Sequence, residues 1–405
     1  AYRRPGWRIS VTSTDTSAPT LPSPLVGPSF GSYAAVDVAW LLTDLSNVEL
    51  EASTEEREEA IQVGGAHYAE SLPVEYQADR TYLALFAEAL NASADRVAHA
   101  VGLLTEQVLQ RRGKNATLVS LARAGTPVGV LMRRWAQFRH GLDLTHYAIS
   151  IVRGRGIDRV ALRYVATHHD PASVMFVDGW TGKGAISREL EVSIAEANPS
   201  MGTSFIGEVA VLADPGRCCR VYGTRDDFLI PSACLNSTVS GLVSRTVLND
   251  AYIGESDFHG AKFYADLAEA DVSNDFIDAI VARFGTVADQ VDADLPEHLA
   301  IDHTPTWGGW AAVEQISKKY GIGDVNLVKP GVGETTRVLL RRVPWLILVR
   351  SGSAANLAHI RVLADRRDVK LVEVDDLPYS CIGLIHPKFT GGATGADGTA
   401  AGSPA

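Results

Sequence analysis

No stretch of the 405 residues stays apolar for the roughly 20 positions that a membrane-crossing helix needs, so neither a transmembrane anchor nor a membrane partner is expected. Cysteine is scarce: Cys218, Cys219, Cys234 and Cys381 include one adjacent pair and no Cys-x-x-Cys. That pattern excludes a disulfide framework and a cysteine-based zinc site, and it suits a reducing cytoplasm. Basic residues are outnumbered, 37 Lys and Arg against 48 Asp and Glu. The net charge of -11 excludes a whole-surface nucleic-acid binder and leaves room for a local basic patch. The opening AYRRPGWRISVTSTDTSAPTLPSP has basic residues but no apolar segment behind them, so it does not read as a secretory signal. Two phosphate-binding signatures are also missing. In a P-loop, Gly182-Lys183 would be followed by Ser or Thr and preceded by an earlier glycine; here Gly184 follows and Val177 holds the earlier position. No Gly-x-Gly-x-x-Gly follows a first strand either.

What is present fits a globular chain with large cores. Hydrophobic residues make up 46%, and the length is comfortable for two domains. Residues 1–29, rich in Ser, Thr and Pro, read as a flexible arm, and the tail 389–405 as low-complexity and disordered. The ordered chain divides into 30–296 and 297–388. Residues 30–112 read as mainly helical, with an acidic helix start at Thr54-Glu-Glu-Arg-Glu-Glu and an amphipathic helix over Ser93–Arg112. Between them Gly64–Gln77 carries His67, Tyr68, Glu70, Glu75 and Tyr76, residue types that suit either a pocket for a planar ring or a covering loop.

Four β-rich segments follow, Thr117–Leu121, Tyr147–Val152, Val174–Val177 and Val209–Leu212, separated by the helical stretches Val128–Phe138, Asp158–Thr167 and Ile186–Ala195. The alternation predicts an α/β fold, a parallel sheet with flanking crossover helices. Ligands in such sheets bind beyond the carboxyl ends of the strands. After the first strand, Arg123-Ala124-Gly125-Thr126 offers backbone amides and one guanidinium to an anion. Arg153-Gly154-Arg155-Gly156 after the second has the composition of a cationic lid on a glycine hinge. The third strand ends in Asp178-Gly179-Trp180-Thr181-Gly182-Lys183-Gly184, an acid, a tight turn and a helix start, suited to a ribose and its phosphate. Asp214 follows the fourth.

These loops, in this order, resemble the pyrophosphate loop, hood and ribose-phosphate loop of type I phosphoribosyltransferases. The family pattern has two adjacent acids in the last loop; here Gly179 follows Asp178. The runs SLARAGTPVGVL, HYAISIVRGRGID, FVDGWTGKGAI, GTRDDFLIPSACLNSTVSGLVSRTVLN and DFHGAKFY resemble a phosphoribosyltransferase-like family of bacterial tellurium-resistance and stress gene clusters, whose members have also been labelled cysteine protease StiP. The resemblance implies transfer from phosphoribosyl diphosphate to a nucleobase-like acceptor, with Mg²⁺ and the ribose on Asp178 and with Arg153 and Arg155 closing the site. Diphosphate and phosphate would lie on Arg123, Ala124, Gly125 and Thr126 and on Gly179, Thr181, Gly182, Lys183 and Gly184. Tyr68, Glu70, Asp214, Arg225, Asp226 and Asp227 are the candidates for acceptor recognition.

The alternative is a cysteine protease. Cys234 lies in Ile230-Pro-Ser-Ala-Cys-Leu-Asn, and His259 in Asp257-Phe-His-Gly; a thiolate beside an imidazole, oriented by Asn236 or Asp257, would be a nucleophile. A third reading is a non-catalytic nucleotide- or RNA-binding sensor. His168-His169-Asp170 lacks partners at ligand spacing and reads as a loop rather than a metal site. Residues 250–295 read as helical closure, with amphipathic turns at Phe258–Ala268 and Phe276–Phe284.

Beyond 297, a helix (Trp310–Tyr320), the strands Trp345–Val349 and Lys370–Val374 and a helix between them (Ala355–Ala364) predict a small α/β/α sandwich. The segment KPGVGETTRVLLRRVP and the later LPYSCIGLI resemble a Pelota-type RNA-binding domain. Lys329, Arg337, Arg341 and Arg342 would contact RNA phosphates there. A cytoplasmic homo-oligomer is expected.

Overall fold

The computed structural model describes residues 21–52, 67, 69–75, 77–341, 344–353 and 357–386. The acidic helix start at Thr54, the arm before residue 21, the tail, and the candidates Tyr68 and Arg342 lie outside them, as does the side chain of Arg341.

A seven-stranded sheet organises the N-terminal part. Its strands are β1 (Leu25–Val26), β2 (Ala39–Leu41), β3 (Thr117–Leu121), β4 (His146–Ile149), β5 (Val174–Trp180), β6 (Val209–Ala213) and β7 (Val221–Thr224). In space they run β1-β2-β4-β3-β5-β6-β7, parallel throughout except for the antiparallel edge strand β1. The central strands are mainly apolar because helices cover both faces; every residue of β3, β4 and β6 is buried, the polar Thr117, Ser120 and His146 included. Helix α1 (Arg80–Arg112), capped by Asp79 accepting from the Tyr82 N–H, lies on one face with α2 (Gly125–His140). Helices α3 (Arg159–His168) and α4 (Ala185–Met201) cover the other. α5 (Ser273–Val281) and α6 (Phe284–Ala300) complete the first layer, with Trp135 edge-on to Phe284, ring centroids 4.9 Å apart.

Strand order decides where a ligand can sit. From β3 the chain crosses to β4 on one side and then returns to β5 on the other, so a crevice opens beyond the carboxyl ends of β3 and β5. The register Val174↔Thr117 to Val177↔Ser120 brings the loop at Ala124 against Gly179.

The C-terminal part forms α7 (Gly308–Lys319), β8 (Val328–Pro330), α8 (Val332–Arg341), β9 (Leu346–Arg350), α9 (Ala358–Arg366), β10 (Lys370–Val374) and β11 (Cys381–Leu384). The sheet order is β8-β11-β9-β10, with β9 and β10 parallel.

Three expectations are corrected. Among those described, residues 30–112 are helical only in their second half: α1 takes in the expected Ser93–Arg112, whereas the apolar Ala39-Trp40-Leu41 supplies a sheet strand too short to show a period. Phe258–Ala268 is not a helix. Gly260–Ala261 pairs with Thr43–Asp44, which holds that stretch extended, and only a 3-10 turn follows at Ala265–Ala270. The Arg153–Gly156 segment is no free hinge. It is the tip of a hairpin between Ile151–Val152 and Gly156–Ile157, and Gly154 and Gly156 take the positive φ of 75° and 83° that its turn requires.

Candidate functional site

The crevice beyond β3 and β5 opens into a cavity of about 360 Å³ that the C-terminal sandwich also walls. From the first sheet come Ala124, Arg153, Asp178, Trp180 and the turn Thr181–Gly184; from the sandwich come Asn326, Lys329, Glu334 and Arg337. The turn is held by both sides. Tyr379 Oη donates to the Gly182 carbonyl at 2.7 Å, and Lys183 Nζ donates to the Val325 carbonyl at 2.8 Å and to Asn326 Oδ1 at 3.2 Å. Gly184, with φ 77°, caps α4.

Asp178 keeps some exposure as a residue, but its carboxyl is enclosed, and burial pushes its pKa up to about 7. Its own neighbour's N–H, from Gly179 at 2.8 Å, opposes that shift only in part. Lys183 is pushed the other way, to about 8, by burial and then by the positive charges of Lys329 and Arg153. An acid with a raised pKa and a lysine with a lowered one thus share one cavity.

The remaining sequence candidates separate. Arg123 does not line this cavity; its guanidinium reaches the Val243 carbonyl at 3.4 Å and Glu75 at 3.6 Å. Thr126 is fully buried at the start of α2, and its hydroxyl has no hydrogen-bond partner among the described residues. Arg155 turns away from Arg153, 3.6 Å from Glu70, and lines a second cavity with Asp158 and His259. The hairpin that carries both arginines is pinned by Glu189, which accepts from the N–H groups of Gly154 and Gly156 at 3.0 and 3.1 Å. The expected lid is therefore corrected to a tied hairpin whose two arginines face different cavities.

The acceptor candidates are corrected as well. Asp214 is fully buried; it accepts from the Cys218 and Cys219 N–H groups at 2.9 and 3.0 Å and from the Thr181 hydroxyl, and it forms an ion pair with Arg225 at 3.0 Å. Every oxygen is occupied by the fold. Asp226 pairs at the surface with Arg96 at 2.7 Å. Asp227 joins the two sheets: its carboxylate accepts from the Val332 N–H at 2.8 Å, where α8 begins, and from the Ser380 N–H at 2.7 Å. It acts as a helix cap supplied from across the junction, a role that spacing along the chain does not reveal. Glu70 accepts from the His67 N–H.

Cys234 ends the 3-10 turn Pro231–Cys234, which packs between α1 and α8, and the residue is 0% exposed. His259 is elsewhere, among residues of the opposite face. Its Nδ1 lies 2.9 Å from Ser150 Oγ, and its N–H donates to Asp158 at 2.6 Å. Burial lowers its pKa, against the pull of Asp158. Asp257, a proposed orienting group, accepts instead from the Gly254 N–H in its own loop. Asn236 Oδ1 lies 3.5 Å from Arg337. The other three cysteines are held as thiols by burial, Cys218 pushed up to about 12 and Cys219 and Cys381 well above the ordinary value.

Among the described residues no group of three His, Cys, Asp or Glu could hold a metal ion, and Asp178 alone offers a single, partly protonated carboxylate for Mg²⁺. His168 closes α3, while His169 Nε2 lies 3.0 Å from the Tyr147 hydroxyl. No helix among the described residues is long and apolar enough to cross a membrane.

Residues 31–281 match the family described as tellurite-like stress resistance cysteine protease StiP, and residues 307–387 match the PELOTA RNA binding domain. The curated protein "Cysteine protease StiP" of Acinetobacter baylyi (strain ATCC 33305 / BD413 / ADP1) is 34% identical over 372 residues, covering 88% of this chain and 94% of the relative. No solved structure matches. These findings overturn phosphoribosyl transfer as the expected activity, together with its phosphoribosyl diphosphate and nucleobase substrates. The three phosphate-suited loops misled because an anion-compatible strand end fixes no reaction. The chain belongs to the StiP family of stress-resistance proteins that carry the name of a cysteine protease.

Proposed function

We propose that this chain is a stress-associated cysteine protease with Cys234 as its nucleophile, and that its C-terminal part, residues 297–388, docks it to RNA. The observation that carries the reading is the relative named as a cysteine protease, 34% identical along nearly its whole length. Burial does not single the residue out, since Cys234 is as enclosed as Cys218, Cys219 and Cys381; what favours Cys234 is its place at the junction of the two parts. Cys234 stands where the first sheet's layer meets α8, so a shift of the sandwich is the motion that would uncover it. The same opening must bring a base to the sulfur. His259 is the candidate from the sequence, and leaving Ser150 is part of that movement. Within this reading the first sheet is a type I phosphoribosyltransferase-like scaffold reused for hydrolysis, supported by its crevice between β3 and β5.

Hydrolysis of a fluorescent casein by the full chain, compared with Cys234→Ala, tests it. The expected loss is about 10³-fold or more, the scale for removing a catalytic nucleophile. Retained hydrolysis in Cys234→Ala, with loss in a variant of another cysteine, would move the nucleophile. One observation favours a second reading, a non-catalytic RNA-binding sensor: the 0% exposure of Cys234. Failure of Cys234 to react with iodoacetamide in the folded protein, together with no hydrolysis by the unaltered chain, would select it.

A further inference from the structure

The cavity beyond β5 belongs to both sheets, and so do its cations. Arg153 comes from the hairpin after β4 and Lys183 from the turn after β5; Lys329 comes from β8 and Arg337 from α8 of the part that matches an RNA-binding domain. Four positive side chains from four elements converge on one opening in a chain with a net charge of -11. Their fields overlap, since Lys329 and Arg153 both make it harder for Lys183 to keep its proton. The acids that face these cations are Asp324 and Glu334, whose charges favour the Lys183 ammonium, Glu334 lying 3.7 Å from Arg337, and Asp178, whose pKa burial raises. A phosphate is the kind of anion that four cations gathered on one opening attract.

Shape narrows the phosphate's owner. About 360 Å³ is the size of a small-molecule cleft and does not admit a double helix. Trp180, half-buried at the end of β5, offers an aromatic ring on the same wall, the surface on which an unpaired base stacks. We propose that this cavity is a binding site for single-stranded RNA, in which one nucleotide stacks at Trp180 while flanking phosphates lie on Arg153 and Lys183 of the first sheet and on Lys329 and Arg337 of the sandwich. The proposal rests on the RNA-docking reading above and extends it: the strand does not stay on the sandwich but enters the crevice of the first sheet.

The test is fluorescence anisotropy of the full chain with a labelled single-stranded RNA of about 12 nucleotides, titrated at several salt concentrations. Arg153→Ala removes an exposed side chain and leaves the fold intact, a point that thermal unfolding verifies. It is expected to weaken binding several-fold and to reduce the salt slope by about 0.7, the contribution of one phosphate contact on a single strand. Lys183→Met is expected to act in the same direction, and Lys370→Ala, on β10 away from the cavity, to change neither quantity. Binding by the unaltered chain that ignores Arg153→Ala and Lys183→Met overturns this site while sparing RNA docking by the sandwich. An equal loss in Lys370→Ala, or equal affinity for a blunt RNA duplex, also overturns it. No binding of any RNA by the unaltered chain overturns both readings.

Discussion

Asp178 and Asp214 stand at the ends of neighbouring parallel strands, β5 and β6, each at the boundary between an apolar run and a turn containing glycine. From the chain alone they are the same object. In the fold they are opposites. Asp214 is surrounded by two backbone N–H groups, the Thr181 hydroxyl and the Arg225 guanidinium, so its turn is sealed and serves structure. Asp178 has one backbone donor and a cavity in front of it. A buried carboxylate completed by the fold is a strut; one left short of partners is where a ligand, a proton or a cation can make a difference.

Breaking the strut should be the costliest change. Asp214→Ala strands the Arg225 charge and orphans three donors, which corresponds to about 3–5 kcal/mol for removing one partner of a buried pair. Urea unfolding should show that loss, and a loss under about 1 kcal/mol would deny Asp214 its structural role. Asp227 comes next. Asp227→Ala leaves the Val332 and Ser380 N–H groups unpaired at the junction, at about 1–3 kcal/mol each, offset in part because the carboxylate itself is buried at a cost. Calorimetry should show the transition of the sandwich moving below that of the first sheet. A single unshifted transition would mean that the junction does not depend on this clamp.

Asp178 should behave in the opposite sense. Its folded pKa, about 7, lies above the ordinary carboxylate value. The sign follows from linkage: the contribution to stability is fully present below the unfolded pKa of about 4 and is lost as the pH rises through 7. Asp178→Asn carries no such loss. The variant should therefore match the parent near pH 4 and exceed it at pH 8 by about 1–3 kcal/mol, read as a difference in Tm that grows with pH. A difference that stays constant between pH 5 and pH 8 would show that burial does not trouble this carboxyl.

The strand–helix alternation was legible because β3, β6 and Val174–Val177 of β5 are short, mainly apolar runs, the mark of strands covered on both faces. The short β2 was not, since three residues carry no period. The cavity was half legible: the turn Thr181–Gly184 stood out as an anion loop, and Lys329 and Arg337 as RNA contacts. Nothing in the spacing said that all of them line one opening, because Lys183 and Asn326 are 143 positions apart along the chain. The trans cap of Asp227 on α8 was hidden for the same reason. Its role depends on a helix that begins 105 residues later. Chemistry was the least legible level. Phosphate-compatible loops suggested transfer, and only relatedness to a protein named for another reaction corrected that.

The smallest effect sharpens the comparison most, because it concerns two acids adjacent in the chain. Asp226 and Asp227 both looked like acceptor contacts, yet Asp226 lies at the surface, its side chain 62% exposed, in a 2.7 Å ion pair with Arg96. That pair is solvated and screened, and ordering two side chains offsets most of its attraction. Arg96 is also held independently, its guanidinium 4.0 Å above the centre of the Phe228 ring. Asp226→Ala should therefore cost about 0.5 kcal/mol or less, and raising the salt concentration should erase even that. A loss as large as that of Asp227→Ala would mean that Arg96 anchors α1 to the junction through this bond, and that the surface pair belongs with the struts.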